Sequence, residues 1–430
     1  APPAPDLGGG GGGACPRRWQ GAASAVVRPG STAEVAAVVV AARTERVALV
    51  PQGGNTGLVA GGVPLDGEVV LDLRRLDGLG PVDVAAAQVT IGAGVTLAAL
   101  QAHLRGTGLG FGVDLAARDT ATIGGMAATN AGGVHVLRHG PMRAQVAGLT
   151  AVLGTGAVMA ANPHGLAKDN TGYDLAGLLC GSEGTLGVIT EVRLRLVPEA
   201  ARRVVALLGF ASSSAMVAAL PTLRATPGLQ ALEAVPGAGL ALVAEHLRTS
   251  PPLDPPPAWS VLVEVAGDDP APALAAVLDR LGSTVIATAA ADDEPGNERL
   301  WGWRDRLSEA IATVGVAHKA DVSLPLGALA AFLDEVPALV DQVAPSASAW
   351  CFGHLGDGNV HVNVVGPASD DPAPLDAVYE AVLAAGGSVS AEHGVGRAKR
   401  AWMARQRGPE AVEAMRSIKA ALDPDGILNP

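Results

Sequence analysis

Three glycine-rich loops in a β-rich first half limit what this chain can fold into more than any other feature. Pro51-Gln-Gly-Gly-Asn-Thr-Gly57 follows the strand-like run Val47-Ala-Leu-Val50. Thr120-Ala-Thr-Ile-Gly-Gly125 leads to Thr129-Asn-Ala-Gly-Gly133, and a third loop is Cys180-Gly-Ser-Glu-Gly-Thr-Leu-Gly187. Glycine lets backbone approach a ligand closely, and successive N–H groups can form a nest for a pyrophosphate. Any one of these loops alone reads as a turn. Together, with Asn, Thr and Ser interleaved, they read as a cofactor cradle. None fits GxxxxGK[ST] or a GxGxxG opening a βαβ unit, so P-loop and Rossmann readings fail.

The surrounding pattern predicts α+β architecture. Strand-like runs occur at residues 47–50, 68–73, 88–91 and 187–196, and residues 150–153 and 157–159 flank Gly154-Thr-Gly156 as a hairpin. Ser31 with Glu34 three residues on is a capping box opening a helix over 31–43. Past Pro198 the glycine loops stop. Helical runs at 213–224 and 270–281 and a strand at 260–265, split by a proline-rich loop over 251–257, predict a second, sheet-based domain. A helix over 408–421 stops at Asp423-Pro-Asp-Gly426. The expected division is a flexible lead-in over 1–16, a first domain over 17–198, a second over 199–385 and a C-terminal segment over 386–430.

Composition excludes several classes. The chain has 49% hydrophobic and 17% charged residues, against a disordered chain. A net charge of −12 argues against a nucleic-acid surface. No uninterrupted apolar stretch of about 18 residues suggests a membrane span. Cys15, Cys180 and Cys351 are odd in number and lack a CxxC pair, which reads as reduced thiols; with no charged-then-apolar signal segment, a cytoplasmic location is expected.

Chemistry concentrates late in the chain. His354 and His361 flank the turn of Gly353-His-Leu-Gly-Asp-Gly-Asn-Val-His361, and Glu392 precedes His393 in Ala391-Glu-His-Gly-Val-Gly396. Two imidazoles and a carboxylate are the ligand set of a catalytic zinc-type site with an open position. Strand alternation puts His361 and Asn363 on one face and Val360, Val362 and Val364 on the other. The plainer reading has His354 capping its loop and Glu392 as a solvated charge. If a metal is bound, His393 is left as a base.

These motifs carry a resemblance. Arg28-Pro-Gly-Ser31, the three glycine loops and Val188-Ile189 resemble the PCMH-type FAD-binding domain of the vanillyl-alcohol oxidase superfamily. The two histidine motifs and Asp423-Pro-Asp-Gly-Ile-Leu-Asn-Pro430 resemble the FAD-linked D-2-hydroxyacid dehydrogenases. The resemblance implies an FAD domain, an α/β substrate (cap) domain with an antiparallel sheet, and a C-terminal helical segment returning to the first domain. It implies FAD held at Pro51 and at Gly53, Gly54, Asn55, Thr56 and Gly57, with Asp114, Thr120, Gly124, Gly125 and Gly132 nearby. Glu183, Gly187 and Ile189 fall to the adenosine end and Asn429 to the isoalloxazine. Asn55 stands where covalent flavoproteins of the superfamily often carry histidine, so non-covalent FAD is expected.

For the second half the resemblance implies a metal held by His354, His361 and Glu392, with His393 as general base; these ligands suit Zn2+ best, with manganese, iron or cobalt left open. Arg304, Ser308, Lys319 and Asn363 would bind substrate, Arg304 and Ser308 sharing one helical run. Members acting on 2-hydroxyglutarate carry a lysine at the position of Lys319, whereas those acting on lactate typically do not. A second cation suits a second carboxylate. The expected reaction is oxidation of (R)-2-hydroxyglutarate, or of D-malate, with hydride passing to flavin. Electrons would leave to an electron-transfer flavoprotein or quinone, and a homodimer fits the family. The alternatives are D-lactate or glycolate oxidation, a zinc hydrolase, and a non-catalytic flavoprotein subunit.

Overall fold

The computed structural model describes residues 19–368 and 370–430; the lead-in over 1–16 and Cys15 lie outside them. The chain divides into two units. The first comprises residues up to Gly133, His139–Glu199 and Glu392–Pro430; the second comprises Val134–Arg138 and Ala200–Ala391. The second unit thus takes in five residues, 134–138, from within the glycine-loop half, which no local pattern announced.

The first unit is built on two sheets. A three-stranded parallel sheet has the order Ala25–Val27, Val69–Asp72, Leu49–Gln52. The last of these strands runs through Pro51, where the sequence pattern predicted a stop. It is an edge strand in that sheet, so the missing proline N–H costs no ladder bond there. A five-stranded antiparallel sheet orders Leu79–Asp83, Gln88–Gly92, Gly187–Arg195, Val146–Leu153 and Val158–Ala161. The helix Thr32–Glu45 begins as its capping box predicts: Ser31 Oγ accepts from Glu34 N at 3.2 Å. The Glu34 carboxylate reaches back one residue further, to Gly30 N at 2.7 Å. Val35 and Val39 of this helix are fully buried with Leu49, Leu71, Ile91 and Val152 in one core.

Residues 392–430 close this unit. The helix Pro409–Leu422 ends where Asp423 accepts from Ile427 N and Leu428 N. Leu428 then pairs in parallel with Leu49. Glycine is required where this segment docks, because a Cβ on Gly154 would lie 2.3 Å from Asp423 Oδ1.

The second unit is a seven-stranded sheet, every pair antiparallel. Its order is Ala287–Ala291, Arg202–Phe210, Trp259–Gly267, Leu229–Pro236, Ser348–His354, Asn359–Val365, Ala317–Ser323. Val205, Leu207, Val235, Leu262 and Phe352 form a core with the helices Gly237–Leu247, Glu294–Asp305 and Leu307–Val314. The long helical run predicted through Arg304 and Ser308 is therefore two helices. Arg306, at φ −77 and ψ −4, breaks the run between them. Among the described residues no helix is long and apolar enough to cross a membrane.

Candidate active site

In the first unit the glycine loops fold against one another with no room for side chains. A Cβ on Gly54 would lie 1.7 Å from Thr120 O, and one on Gly53 would lie 2.1 Å from Thr122 Oγ1. Asn55 adopts φ 52, a left-handed conformation that asparagine tolerates better than most residues. Thr122 caps the helix Ile123–Thr129, where a Cβ on Gly124 would strike Ala93 Cβ at 2.4 Å. The result is a cleft lined by these loops. Its walls include Pro51, the 53–57 loop, Gly124, Gly125, Glu183, Gly187, Ile189 and Asn429, together with His393.

Three residues named from sequence lie off the walls. Asp114 binds Arg118 through both carboxylate oxygens at 2.6 Å. Thr120 is exposed and offers its carbonyl to the Gly54 contact. Gly132 is buried and is not a wall residue. Thr122, Gln52, Gly61 and Gly62 do line the cleft and were not singled out. Gly61-Gly62 is a further glycine pair close after the first loop, which was the available signal.

Glu183 has an additional task. Its carboxylate accepts from Val395 N at 2.8 Å and Gly396 N at 2.7 Å, holding the turn that follows Glu392 and His393. Burial pushes the Glu183 carboxyl above its ordinary range, with these two N–H bonds and Lys399 pulling the other way. Asn429 Nδ2 donates to Gly61 O at 3.0 Å and Glu183 O at 2.5 Å. Glu392 Oε2 accepts from Gly133 N at 2.9 Å, and its Oε1 lies 3.8 Å from His393 Nε2.

In the second unit strand register gathers polar residues on one sheet face. Glu233 stands opposite His354, Asp321 opposite His361, and Lys319 opposite Asn363. The His354 and His361 rings meet edge to face at 5.2 Å. His354 Nδ1 lies 2.6 Å from Glu233 Oε1, whose other oxygen accepts from Arg304 Nε at 2.7 Å. Burial alone would raise the Glu233 carboxyl, but His354 and Arg304 outweigh it and hold it at about 2. His361 Nδ1 lies 3.4 Å from Asp321 Oδ1, and the fully buried Asp321 also accepts from Asn359 Nδ2 at 2.8 Å. Asn363 is buried, and Lys319 is half-buried. Ser308 lies in the first turn of its own helix, also half-buried.

Sequence reasoning missed Glu233 and Asp321. It also missed Glu264, which accepts from Trp301 Nε1 at 2.6 Å and lies 3.2 Å from His135 Nε2. The signal was present for two of them: Glu233 and Glu264 are lone acids inside the apolar runs Leu232-Glu-Ala-Val235 and Leu262-Val-Glu-Val265.

Both sets of residues fit the groups the motifs suggest. The first cleft is walled by backbone at positions where only glycine fits, which suits a long phosphate-bearing cofactor. In the second unit, His354 Nδ1 is bonded to Glu233 and His361 Nδ1 lies 3.4 Å from Asp321, and carboxylates so placed are of the kind that orients metal-binding imidazoles.

Comparison with known proteins agrees with the first of these assignments. Residues 23–162 match the FAD binding domain, and residues 199–430 match the C-terminal domain of FAD linked oxidases. The D-2-hydroxyglutarate dehydrogenase of Xanthomonas citri pv. viticola is 38% identical over 427 residues, spanning 96% of this chain and 90% of that protein. The mitochondrial D-2-hydroxyglutarate dehydrogenase of Bos taurus is 38% identical over 425 residues, spanning 96% and 77%. Among solved structures, substrate-bound p-cresol methylhydroxylase superposes with a TM-score of 0.73 at 16% identity, over 94% of this chain and 87% of that one, a likeness of fold. The two matched domains and the curated relatives define an FAD-linked oxidoreductase. The chain belongs to the FAD-linked oxidase family.

Proposed function

We propose that this protein oxidises a D-2-hydroxy dicarboxylic acid to the 2-oxo acid, with (R)-2-hydroxyglutarate as principal substrate and D-malate as a shorter one. The observation that carries this reading is the placement of Lys319 opposite Asn363, two residues along from the Asp321–His361 pair on the same sheet face. A lysine there, with the Arg304 guanidinium held at Glu233, provides cations for both carboxylates of such an acid. The names of the similar bacterial and bovine enzymes point the same way.

FAD would be held without a covalent bond by Gly53, Gly54, Asn55, Thr56, Gly57, Gly124, Gly125, Glu183, Gly187, Ile189 and Asn429. A divalent cation, zinc by its ligand chemistry, would be held by His354, His361 and Glu392. When bound, these groups supply a hydride acceptor and a Lewis acid that eases loss of the hydroxyl proton. His393 takes that proton from the α-hydroxyl oxygen as general base. Arg304 and Asn363 orient the carboxylate beside the reacting carbon, Ser308 adds a hydroxyl, and Lys319 Nζ binds the distal carboxylate. Re-oxidation falls to an electron-transfer flavoprotein or a quinone. Cys180 and Cys351, both buried, suit a reducing compartment such as the cytoplasm.

The test is an anaerobic titration of purified protein, with and without chelator. (R)-2-hydroxyglutarate and D-malate are expected to bleach the flavin, D-lactate and glycolate weakly. A protein without flavin absorbance would end this reading, and bleaching that survives complete metal removal would end the metal's part in it.

A further inference from the structure

We infer that Glu233 is a positioning residue that couples the metal ligand His354 to the substrate-binding Arg304. The inference rests on the function proposed above and gives Glu233 a linking role between the two groups it touches. Glu233 is 1% exposed, within a strand of otherwise apolar or small neighbours, Ala231, Leu232, Ala234 and Val235. A buried carboxylate weakens a core unless both its oxygens are satisfied, although replacing a whole buried ion-pair cluster by apolar residues of similar volume often leaves the protein as stable or more so. The acid at this position is explained by its two partners, both of which lose their carboxylate if it alone is removed.

Oε1 takes His354 Nδ1 at 2.6 Å, which places the ring proton on Nδ1 and leaves Nε2 as the basic nitrogen. Oε2 takes Arg304 Nε at 2.7 Å, while the Phe352 ring lies 5.3 Å from the guanidinium carbon. A guanidinium fixed by its Nε and by an aromatic face keeps its two terminal nitrogens for a bidentate carboxylate. One side chain thus sets the tautomer of a ligand and the plane of a substrate anchor. The strand order makes this arrangement possible, because Leu229–Pro236 lies directly beside Ser348–His354.

Glutamine can accept from only one of the two donors. The test compares the flavin-loaded wild type with Glu233→Gln, Glu233→Leu and Glu233→Asp, reading Zn2+ affinity by chelator competition, KM and kcat at saturating Zn2+, and flavin content. Glu233→Gln is expected to bind Zn2+ about 10- to 100-fold more weakly. Its KM for (R)-2-hydroxyglutarate should rise about tenfold or more, with kcat changed far less and full flavin content. Glu233→Leu should lose both properties and some stability, because it strips two largely buried partners of their carboxylate, and Glu233→Asp should restore part of each. If Glu233→Gln and Glu233→Leu fold with wild-type Zn2+ affinity and KM, the coupling role is wrong and the proposed function stands. A wild type that holds no Zn2+, or whose flavin no hydroxy acid reduces, overturns the reading beneath it as well.

Discussion

Thr122 and Gly53 hold mutually exclusive space: a Cβ on Gly53 would lie 2.1 Å from Thr122 Oγ1, which caps the following helix. The first glycine loop is therefore shaped by its neighbours in the fold as well as by any ligand. That makes steric and ligand effects separable by choice of glycine.

Gly54→Ala drives a methyl into the Thr120 carbonyl, a contact of 1.7 Å with backbone that cannot rotate away. Overpacking of this kind costs about 1–3 kcal/mol. Gly57→Ala meets nothing within 4 Å and should unfold like the wild type, yet it narrows the cleft wall. Urea unfolding of flavin-stripped protein, set beside the flavin-to-protein ratio after purification, is expected to show Gly54→Ala unstable and Gly57→Ala stable but flavin-poor. Equal stability of the two would refute the steric account.

Lys319→Ala should separate substrates by their charge. Losing a charge-assisted bond costs about 1.5–3 kcal/mol, so kcat/KM for (R)-2-hydroxyglutarate should fall about 10- to 100-fold. D-lactate, with no distal carboxylate, should be almost unaffected. Steady-state kinetics on both acids decide the matter, and parallel losses would remove the distal-carboxylate role.

His393→Ala is expected to lower kcat about 10²- to 10⁴-fold, the usual worth of a positioned general base. His393 is held by a turn that Glu183 anchors through Val395 and Gly396, so the loop should survive the change and flavin content should stay full. Rapid-mixing measurement of flavin reduction is the direct assay. Undiminished reduction would mean that another group takes the proton.

Acid should weaken the second unit through Glu264. Burial raises its carboxyl, but His135, Arg203 and Trp301 outweigh this and hold it below its ordinary value of 4.5. A carboxyl depressed in the folded state stabilises above that value, and the stabilisation is lost as pH falls through the folded one. The stability gap between wild type and Glu264→Gln should therefore shrink as pH drops below 4.5. Urea unfolding across that range tests it, and a gap that widens in acid would contradict the sign.

Local patterns announced the local features of the fold. Ser31 with Glu34 and the 154–156 turn are both interactions within a few residues. What stayed hidden depends on strand order. Glu233 meets His354, 121 residues away, because their strands are neighbours in the sheet. No spacing encodes that pairing. The break at Arg306 was hidden for another reason: the residues around it are ordinary helix formers, and packing decides where the run divides. Asp114 and Thr120 lie off the cleft for local reasons: Asp114 is taken by Arg118 four residues on, and Thr120 meets the Gly54 position through its backbone carbonyl.

The docking of residues 392–430 into the first unit has a consequence for the order of folding. Leu49 cannot gain its Leu428 neighbour, nor Glu183 its two amide donors, until residues 395–428 have left the ribosome. Almost all of the second unit is contiguous over Ala200–Ala391 and can assemble while that tail is still being made. The unit begun first is thus completed after the second, and its cleft gains the His393 and Asn429 walls only then.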